Sequence, residues 1–301
     1  MRNGTMRGMT MTGVATALIL ASAPAALLAK PAPAAPAATP FKLGAATLVP
    51  LRDMLNVVPN DGSVFGKGLD PAQVAAVLAK AGAPTDSLTL GVDALLVEMP
   101  GRTVLIDTGL GPKVGGMLQA SLAAAHVAPD AVTDILITHS HGDHIGGLLT
   151  ADGALAFPKA TIRMAAAEWA FLKSHPASAA TVAAIAAKVQ TFAPGAEVVP
   201  GIRSVALAGH TPGHSGYEIV SQGQRLIDIG DTAHSAIVSL AEPDWTVGYD
   251  TDAAEGKATR RAELAKLAAS HEWLFAPHFP YPGTGKIVAK GSGFAFVPGH
   301  P

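Results

Sequence analysis

The 301-residue sequence contains no cysteine. That absence excludes a disulfide framework, thiolate metal ligands, a cysteine nucleophile and lipoprotein attachment. Any metal must be held by nitrogen and oxygen, which gives weight to the 11 histidines. Basic runs are missing too, and the formal net charge is -2, so nothing marks the chain for nucleic acid. No repeat appears at solenoid or propeller periods. With 49% hydrophobic and 15% charged residues, the chain can build one large domain or two small ones.

Residues 1–29 read as an export signal. Arg2 and Arg7 supply a positive start, Val14 to Leu28 is rich in Ala, Leu and Ile, and small residues follow. An uncleaved anchor is the alternative, but Thr16, Ser22 and Pro24 interrupt the run, and a spanning helix needs about 20 apolar residues. The two arginines are not adjacent, so a twin-arginine signal has no support. Residues 30–40 (KPAPAAPAATP) read as a Pro/Ala linker with nothing to pack, which puts the folded domain at 41–301. The expected location is periplasmic or secreted, with no stable membrane anchor after cleavage.

Strand-like and helix-like segments occur in both halves, which predicts layered α/β architecture. Ala46 to Leu51, Val92 to Glu98, Thr103 to Ile106 and Ile135 to Ile137 read as strands in the first half. Asp70-Pro71 opens a helix closed by Gly82, and Asp252 with Glu255 opens a helix running to Ala269. Helices are also expected over Val114 to Ala125 and Ala177 to Val189. Further strands are expected at Ile202 to Leu207, Arg225 to Ile229 and Trp273 to Phe275.

The densest chemistry is Thr138-His139-Ser140-His141-Gly142-Asp143-His144, directly after the apolar run Ile135 to Ile137. A strand followed by a loop would present three imidazoles and a carboxylate from one end of a sheet, and such groups suit zinc and its neighbours. They do not fit around one ion from so short a loop, which predicts two ions and further ligands elsewhere. Three later stretches repeat the pattern of a strand followed by a ligand-type residue. They are Gly209-His210-Thr211-Pro212-Gly213-His214, Gly230-Asp231-Thr232 and Pro277-His278. If these strand ends share an edge, His139, His141, Asp143, His144, His214, Asp231 and His278 converge.

Together with Asp107-Thr108-Gly109, these motifs resemble the metallo-β-lactamase superfamily, in family order from Asp107 to His278. The last stretch, His278-Phe279-Pro280-Tyr281-Pro282-Gly283 with Phe294 to Pro298, resembles the methyl parathion hydrolase-like branch. The resemblance implies an αββα sandwich with a dinuclear site, most simply two zinc ions, along one edge of the two sheets. It implies His139, His141 and His214 on one ion, Asp143, His144 and His278 on the other, and Asp231 bridging. It also implies a homodimer. Asp107 is either an acceptor behind the metal histidines or a buried turn residue, and His210 reads as a supporting turn residue.

The chemistry implied is attack by a metal-bridging hydroxide on a lactone, an aryl ester or an organophosphate triester, with a small molecule as substrate. His234 stands three residues after Asp231. In related acyl-homoserine lactonases a tyrosine there contacts the substrate, so His234 is either a catalytic acid or hydrogen-bond donor, or a solvent-facing loop residue. Trp169, Phe171, Trp245 and Tyr249 either wall the pocket or simply pack. β-Lactamase and glyoxalase II-like thioesterase activities are alternatives, as is a non-catalytic metal-binding module. The short segment Pro112 to Gly116 lacks the pocket aromatic of methyl parathion hydrolase-like enzymes, which weakens an organophosphatase reading, and the polar His234, where those enzymes have an apolar residue, fits a lactone better.

Overall fold

A computed structural model describes Met1 and residues 30–301. The expected signal segment therefore lies outside the described residues. One sheet holds β1 (Lys30–Ala32), β2 (Phe41–Leu43), β3 (Ala46–Pro59), β4 (Ser87–Met99), β5 (Arg102–Ile106), β6 (Asp134–Leu136), β7 (Thr161–Ala165) and β8 (Val189–Phe192). The second holds β9 (Glu197–Val199), β10 (Ile202–Ala206), β11 (Ser215–Ser221), β12 (Gln224–Asp228), β13 (Trp273–Phe275), β14 (Thr284–Lys290) and β15 (Gly293–Pro298). The α-helices are α1 (Pro71–Lys80), α2 (Leu118–Ala124), α3 (Gly142–Ile145), α4 (Ala166–Ser174), α5 (Ala179–Ile185), α6 (Val238–Ala241) and α7 (Ala253–Ser270).

Burial assigns these elements to four layers. Along β4 the side chains alternate: Leu95 and Val97 face the second sheet, whereas Ala94 and Leu96 face outward. The inter-sheet core joins Leu95, Val97, Val104, Ile106 and Leu136 to Ile202, Tyr217, Ile219, Leu226 and Phe275. Tyr217 is fully buried there, and its hydroxyl donates to the Ile137 carbonyl at 2.6 Å, tying the sheets at the start of the histidine loop. The outer face of the first sheet is covered by Leu118 and Leu122 of α2, Leu172 of α4 and Ile185 of α5. Leu264 and Leu267 of α7 cover the second sheet. The result is an αββα sandwich, the layered α/β arrangement that the sequence pattern predicts and the form of it that the family resemblance implies.

Direction places the functional loops. β5, β6 and β7 run parallel, so the loops after Ile106 and Leu136 leave from the same edge. In the second sheet β10 and β12 are each antiparallel to β11, and β12 is parallel to β13. The loops after Ala206, Asp228 and Phe275 therefore also leave from one edge.

The helix starts follow local chemistry. Asp70 accepts from Ala72 N–H at the head of α1, with Pro71 in the first turn, and Asp252 accepts from Ala254 and Glu255 N–H at the head of α7. Two expected helices are shorter than the pattern suggests. α2 begins only at Leu118, after a 3-10 turn at Pro112–Val114 and the glycines Gly115 and Gly116. α5 ends at Ile185, and Val189–Phe192 is an edge strand instead.

Residues 30–40 are not a loose linker. Lys30–Ala32 pairs antiparallel with Leu55–Val57 of β3, and Arg52 N–H donates to Ala37 O at 3.0 Å. Ala38 packs against the outer core, and Thr39 Oγ1 lies 2.8 Å from the Tyr281 hydroxyl. The long β3 leaves part of its edge open, and a flat Ala/Pro chain covers it without needing large side chains.

Candidate metal centre

The histidine loop is held before any ligand is counted. Ile137 N–H donates to Arg163 O, and Thr138 N–H and Oγ1–H both donate to Asp107, at 2.8 and 2.7 Å. Asp107 itself sits at φ 61°, a left-handed conformation that aspartate tolerates better than most residues. Its Oδ2 lies 2.7 Å from His144 Nδ1, so Asp107 stands behind a histidine of the site. Thr108 N–H and Oγ1–H both donate to His144 O, at 2.7 and 2.9 Å, which anchors α3 against the loop after β5.

Among the described residues six imidazoles, those of His139, His141, His144, His210, His234 and His278, point into one space, and four have the outer nitrogen occupied. His144 Nδ1 faces Asp107, His278 Nδ1 donates to Gly91 O at 2.6 Å, and His210 Nδ1 faces Asp250 Oδ1 at 3.1 Å. His139 Nδ1 lies 3.1 Å from Thr138 Oγ1. Such outer partners fix the tautomer and aim the inner nitrogen, as in metal sites generally. His210 Nε2 lies 3.1 Å from His139 Nε2 and 2.9 Å from His141 Nδ1. Three ring nitrogens this close cannot all be satisfied by one another, whereas a cation between them satisfies all three.

Asp231 occupies the middle. Its Oδ1 lies 3.2 Å from His144 Nε2, and His278 Nε2 lies 3.1 Å from Oδ1 and 3.2 Å from Oδ2. Its Oδ2 lies 3.2 Å from His210 Nε2 and 3.6 Å from His139 Nε2. Asp143 Oδ2 joins the first of these sets, 3.8 Å from His144 Nε2 and 3.7 Å from His278 Nε2. Among the described residues His144 Nε2 and Asp231 Oδ1 are buried without a hydrogen-bond partner, as atoms that hold an ion are. The site is sealed except at His141 and Asp143, which are partly exposed.

The charges are consistent with that reading. Burial alone would raise the Asp231 carboxyl, but His278, His144 and His139 around it hold it well below the usual carboxylate range. Burial would lower His278, but Asp231 and Asp143 outweigh it and raise it to about 9. Burial pushes His141 down to about 3, with the neighbouring His210 adding to the effect. Before an ion binds, the cluster is thus a carboxylate surrounded by imidazoles of unequal charge.

The structure brings together His139, His141, Asp143, His144, Asp231 and His278. It does not bring in His214, which requires a correction. His214 Nδ1–H donates to Leu207 O at 2.8 Å, and its Nε2 accepts the Asp231 N–H at 2.9 Å. Both nitrogens are already used by the backbone, so no lone pair remains for a metal. His210, which the sequence reading left in a supporting role, occupies the place instead. Gly230 adopts φ 46° beside His214, and a Cβ there would lie 2.5 Å from His214 Nε2, so the Gly-Asp pair is needed for this contact.

His234 is buried at 1% exposure rather than facing solvent. Its Nε2 comes within 3.0 Å of Asp231 Oδ2 but off the direction of a hydrogen bond, and neither ring nitrogen has a partner among the described residues. Its ring stacks on His278 at 5.3 Å and lies 5.5 Å from Tyr249. Trp245 and Tyr249 pack on the cluster formed by α1, α6 and the ends of β3 and β4. Trp169 packs on the outer core, and Phe171 meets His175 edge-on at 4.4 Å. His126, His175, His271 and His300 are exposed.

Sequence reasoning missed Asp250 and Arg260 altogether. Asp250 Oδ2 accepts from Arg260 Nη2 at 2.8 Å, and Arg260, 1% exposed, also donates to the carbonyls of Thr232, Pro243 and Trp245. Nothing in the sequence of α7 distinguishes this arginine from its neighbour Arg261.

The profile of the metallo-beta-lactamase superfamily matches residues 89–278. Among curated proteins, metallo-beta-lactamase domain-containing protein 1 of Homo sapiens is 44% identical over 64 residues, covering 21% of this chain and 24% of that protein. The chain thus spans about a quarter of that relative's length. The uncharacterized protein YobT of Bacillus subtilis is 27% identical over 185 residues, 58% of this chain and 77% of YobT. Among solved structures, the dizinc quorum-quenching lactonase AidC superposes with a TM-score of 0.82 at 27% identity, covering 88% of this chain and 98% of AidC. The hydrolase AbOPH superposes with a TM-score of 0.81 at 28% identity, covering 89% and 99%. Matched over most of its folded length, and with imidazoles and carboxylates gathered where a divalent ion fits, the chain belongs to the metallo-beta-lactamase superfamily as a metal-dependent hydrolase.

Proposed function

We propose that this protein is a dinuclear hydrolase of lactones or aryl esters, with organophosphate triesters as side substrates. His139, His141 and His210 would hold one divalent ion, and Asp143, His144 and His278 would hold the other. Asp231 serves both, and zinc suits the all-nitrogen-and-oxygen set. The observation that carries the reading is Asp231, whose Oδ1 lies against His144 and whose Oδ2 lies against His210 and His139, with His278 Nε2 within reach of both oxygens. The likeness to a dizinc quorum-quenching lactonase supports the lactone reading, and the likeness to the hydrolase AbOPH supports hydrolysis.

Bound divalent ions supply a Lewis acid for the substrate oxygen and a water acidic enough to act as nucleophile near neutral pH. The chain's own residues do the rest. The outer partners Asp107, Gly91 and Asp250 fix three of the rings before substrate arrives. Burial pushes His234 down to about 4, so it enters the reaction as a neutral imidazole with one N–H to donate. In a lactone the departing alkoxide stays attached and needs a donor, and His234, whose ring nitrogens make no hydrogen bond among the described residues, is placed to be that donor. Tyr249 closes the wall beside it.

Export to the periplasm or medium rests on Arg2, Arg7 and the apolar run Val14 to Leu28. The functional test is turnover by zinc-loaded protein on a panel of an acyl-homoserine lactone, an aryl lactone, an aryl phosphotriester, nitrocefin and a glutathione thioester. Lactone hydrolysis is expected to lead. Turnover of nitrocefin or the thioester with none of the lactones would overturn the assignment.

A further inference from the structure

Glu168 is 0% exposed, in the first turn of α4, on a helix that otherwise covers the outer face of the first sheet. Its carboxylate accepts four hydrogen bonds. Oε1 takes the Ser140 N–H at 2.7 Å and the Ser140 Oγ–H at 2.5 Å. Oε2 takes the Thr211 Oγ1–H at 2.7 Å and the Gly213 N–H at 3.1 Å. No lysine or arginine pairs with it among the described residues, so donors from two loops alone satisfy it.

The identity of those donors matters. Ser140 sits between His139 and His141, and Thr211 follows His210. These loops come from different sheets, and α4 reaches both. Gly213 lies so close to α4 that a Cβ would be 2.2 Å from Glu168 N, so the turn has no room to slide along the helix. The other half of the site has different supports: Asp107 and Thr108 hold His144, and Gly91 holds His278.

We propose that Glu168 is a positioning residue for one ion only, the clasp that sets His139 and His141 against His210. The inference rests on the two-ion reading above and adds a division of labour within it. A buried carboxylate with two oxygens, each committed to one loop, fixes the separation of the loops and therefore the gap the ion must fill. Glu168→Gln keeps the volume and one accepting oxygen but turns an N–H₂ toward the donors of one loop. The hydroxyl on that side, Ser140 or Thr211, can rotate to accept, whereas the backbone N–H beside it, Ser140 or Gly213, cannot. One loop is released and the other is kept.

The test is a competitive zinc titration of the full chain against a chromophoric chelator, with bound metal counted by elemental analysis. Wild type should bind two ions. Glu168→Gln should weaken one of them by about 10–100-fold, the range seen when an outer partner of a metal ligand is removed, and leave the other unchanged. In a His278→Ala background, where the remaining ion is held by His139, His141 and His210, the same substitution should weaken that ion. If Glu168→Gln does not fold, Thr211→Val removes a single donor at nearly constant shape and should show a smaller loss at the same ion. Wild type binding two ions, with both equally weakened or both unaffected in the folded variants, would overturn the clasp. Wild type binding only one ion would overturn the two-ion reading and this inference with it.

Discussion

His214 accepts the backbone N–H of Asp231 at 2.9 Å, and that contact takes it out of the ligand set while making it necessary for the ligand at the centre. The two histidines of Gly209-His210-Thr211-Pro212-Gly213-His214 thus have separable jobs. His210→Ala should remove one ion from the protein and abolish hydrolysis. His214→Gln should keep the metal content but destabilise the fold by about 1–3 kcal/mol, the cost of leaving buried backbone groups without partners. Elemental analysis and urea denaturation of the two variants check the pair. Equal metal loss in both would mean that His214 is a ligand after all.

The same contact predicts a pH dependence. Burial pushes His214 down to about 3, with the neighbouring His210 adding to the effect. In the unfolded chain an imidazole titrates at about 6.5. The folded state therefore binds fewer protons than the unfolded state between these values. Its contribution to stability is fully present above about pH 6.5 and is lost as pH falls toward about 3, at a limiting slope of about 1.4 kcal/mol per pH unit for one group. The structural cause is direct, because a proton on Nε2 would face the Asp231 N–H. Urea titrations of metal-free protein from neutral to acid pH should show a shallower slope in His214→Gln than in wild type. Parallel slopes would contradict it.

Much of the fold and half of the site's logic were legible because they rest on local rules. Alternation in β4, the caps at Asp70 and Asp252, and ligand-type residues after apolar runs need only neighbours in sequence. The choice between His210 and His214 was not legible. Four residues apart in one turn, they differ only in what meets them in space: Asp250 for one, Leu207 O and Asp231 N–H for the other. Asp250 and Arg260 were invisible for a similar reason, since a charged pair reads as surface until tertiary packing buries it. Residues 30–40 were misread because composition shows what cannot form a core, not what can cover the edge of one.

Arg260 and Asp250 form a buried pair, each side chain 1% exposed, that ends on His210. Removing either charge leaves the other uncompensated, which costs about 3–5 kcal/mol. Asp250→Asn should therefore lower stability by that amount and weaken one ion by about 10–100-fold through His210. Arg260→Met should lower stability similarly. The double variant should be less destabilised than the sum of the two, because no lone buried charge remains. A double-mutant cycle in urea measures the coupling, and strict additivity would show that the pair does not act as a unit.

His234 offers the sharpest division between metal and substrate. It stacks on His278 and touches Asp231, yet its ring nitrogens make no hydrogen bond among the described residues. If it donates to a departing alkoxide, its removal should matter in proportion to how badly the leaving group needs a proton. His234→Phe preserves the stacked ring and removes both nitrogens. Two zinc ions should remain bound, and kcat on an acyl-homoserine lactone should fall by about 100–10,000-fold, the usual contribution of a positioned acid or donor. Turnover of an aryl ester with a good phenolate leaving group should fall far less, because that group departs without help. Comparing kcat for the two substrates, with metal content measured on the same samples, decides the point. Equal losses on both substrates at full metal loading would place His234 in the architecture of the pocket and leave the leaving group to another donor.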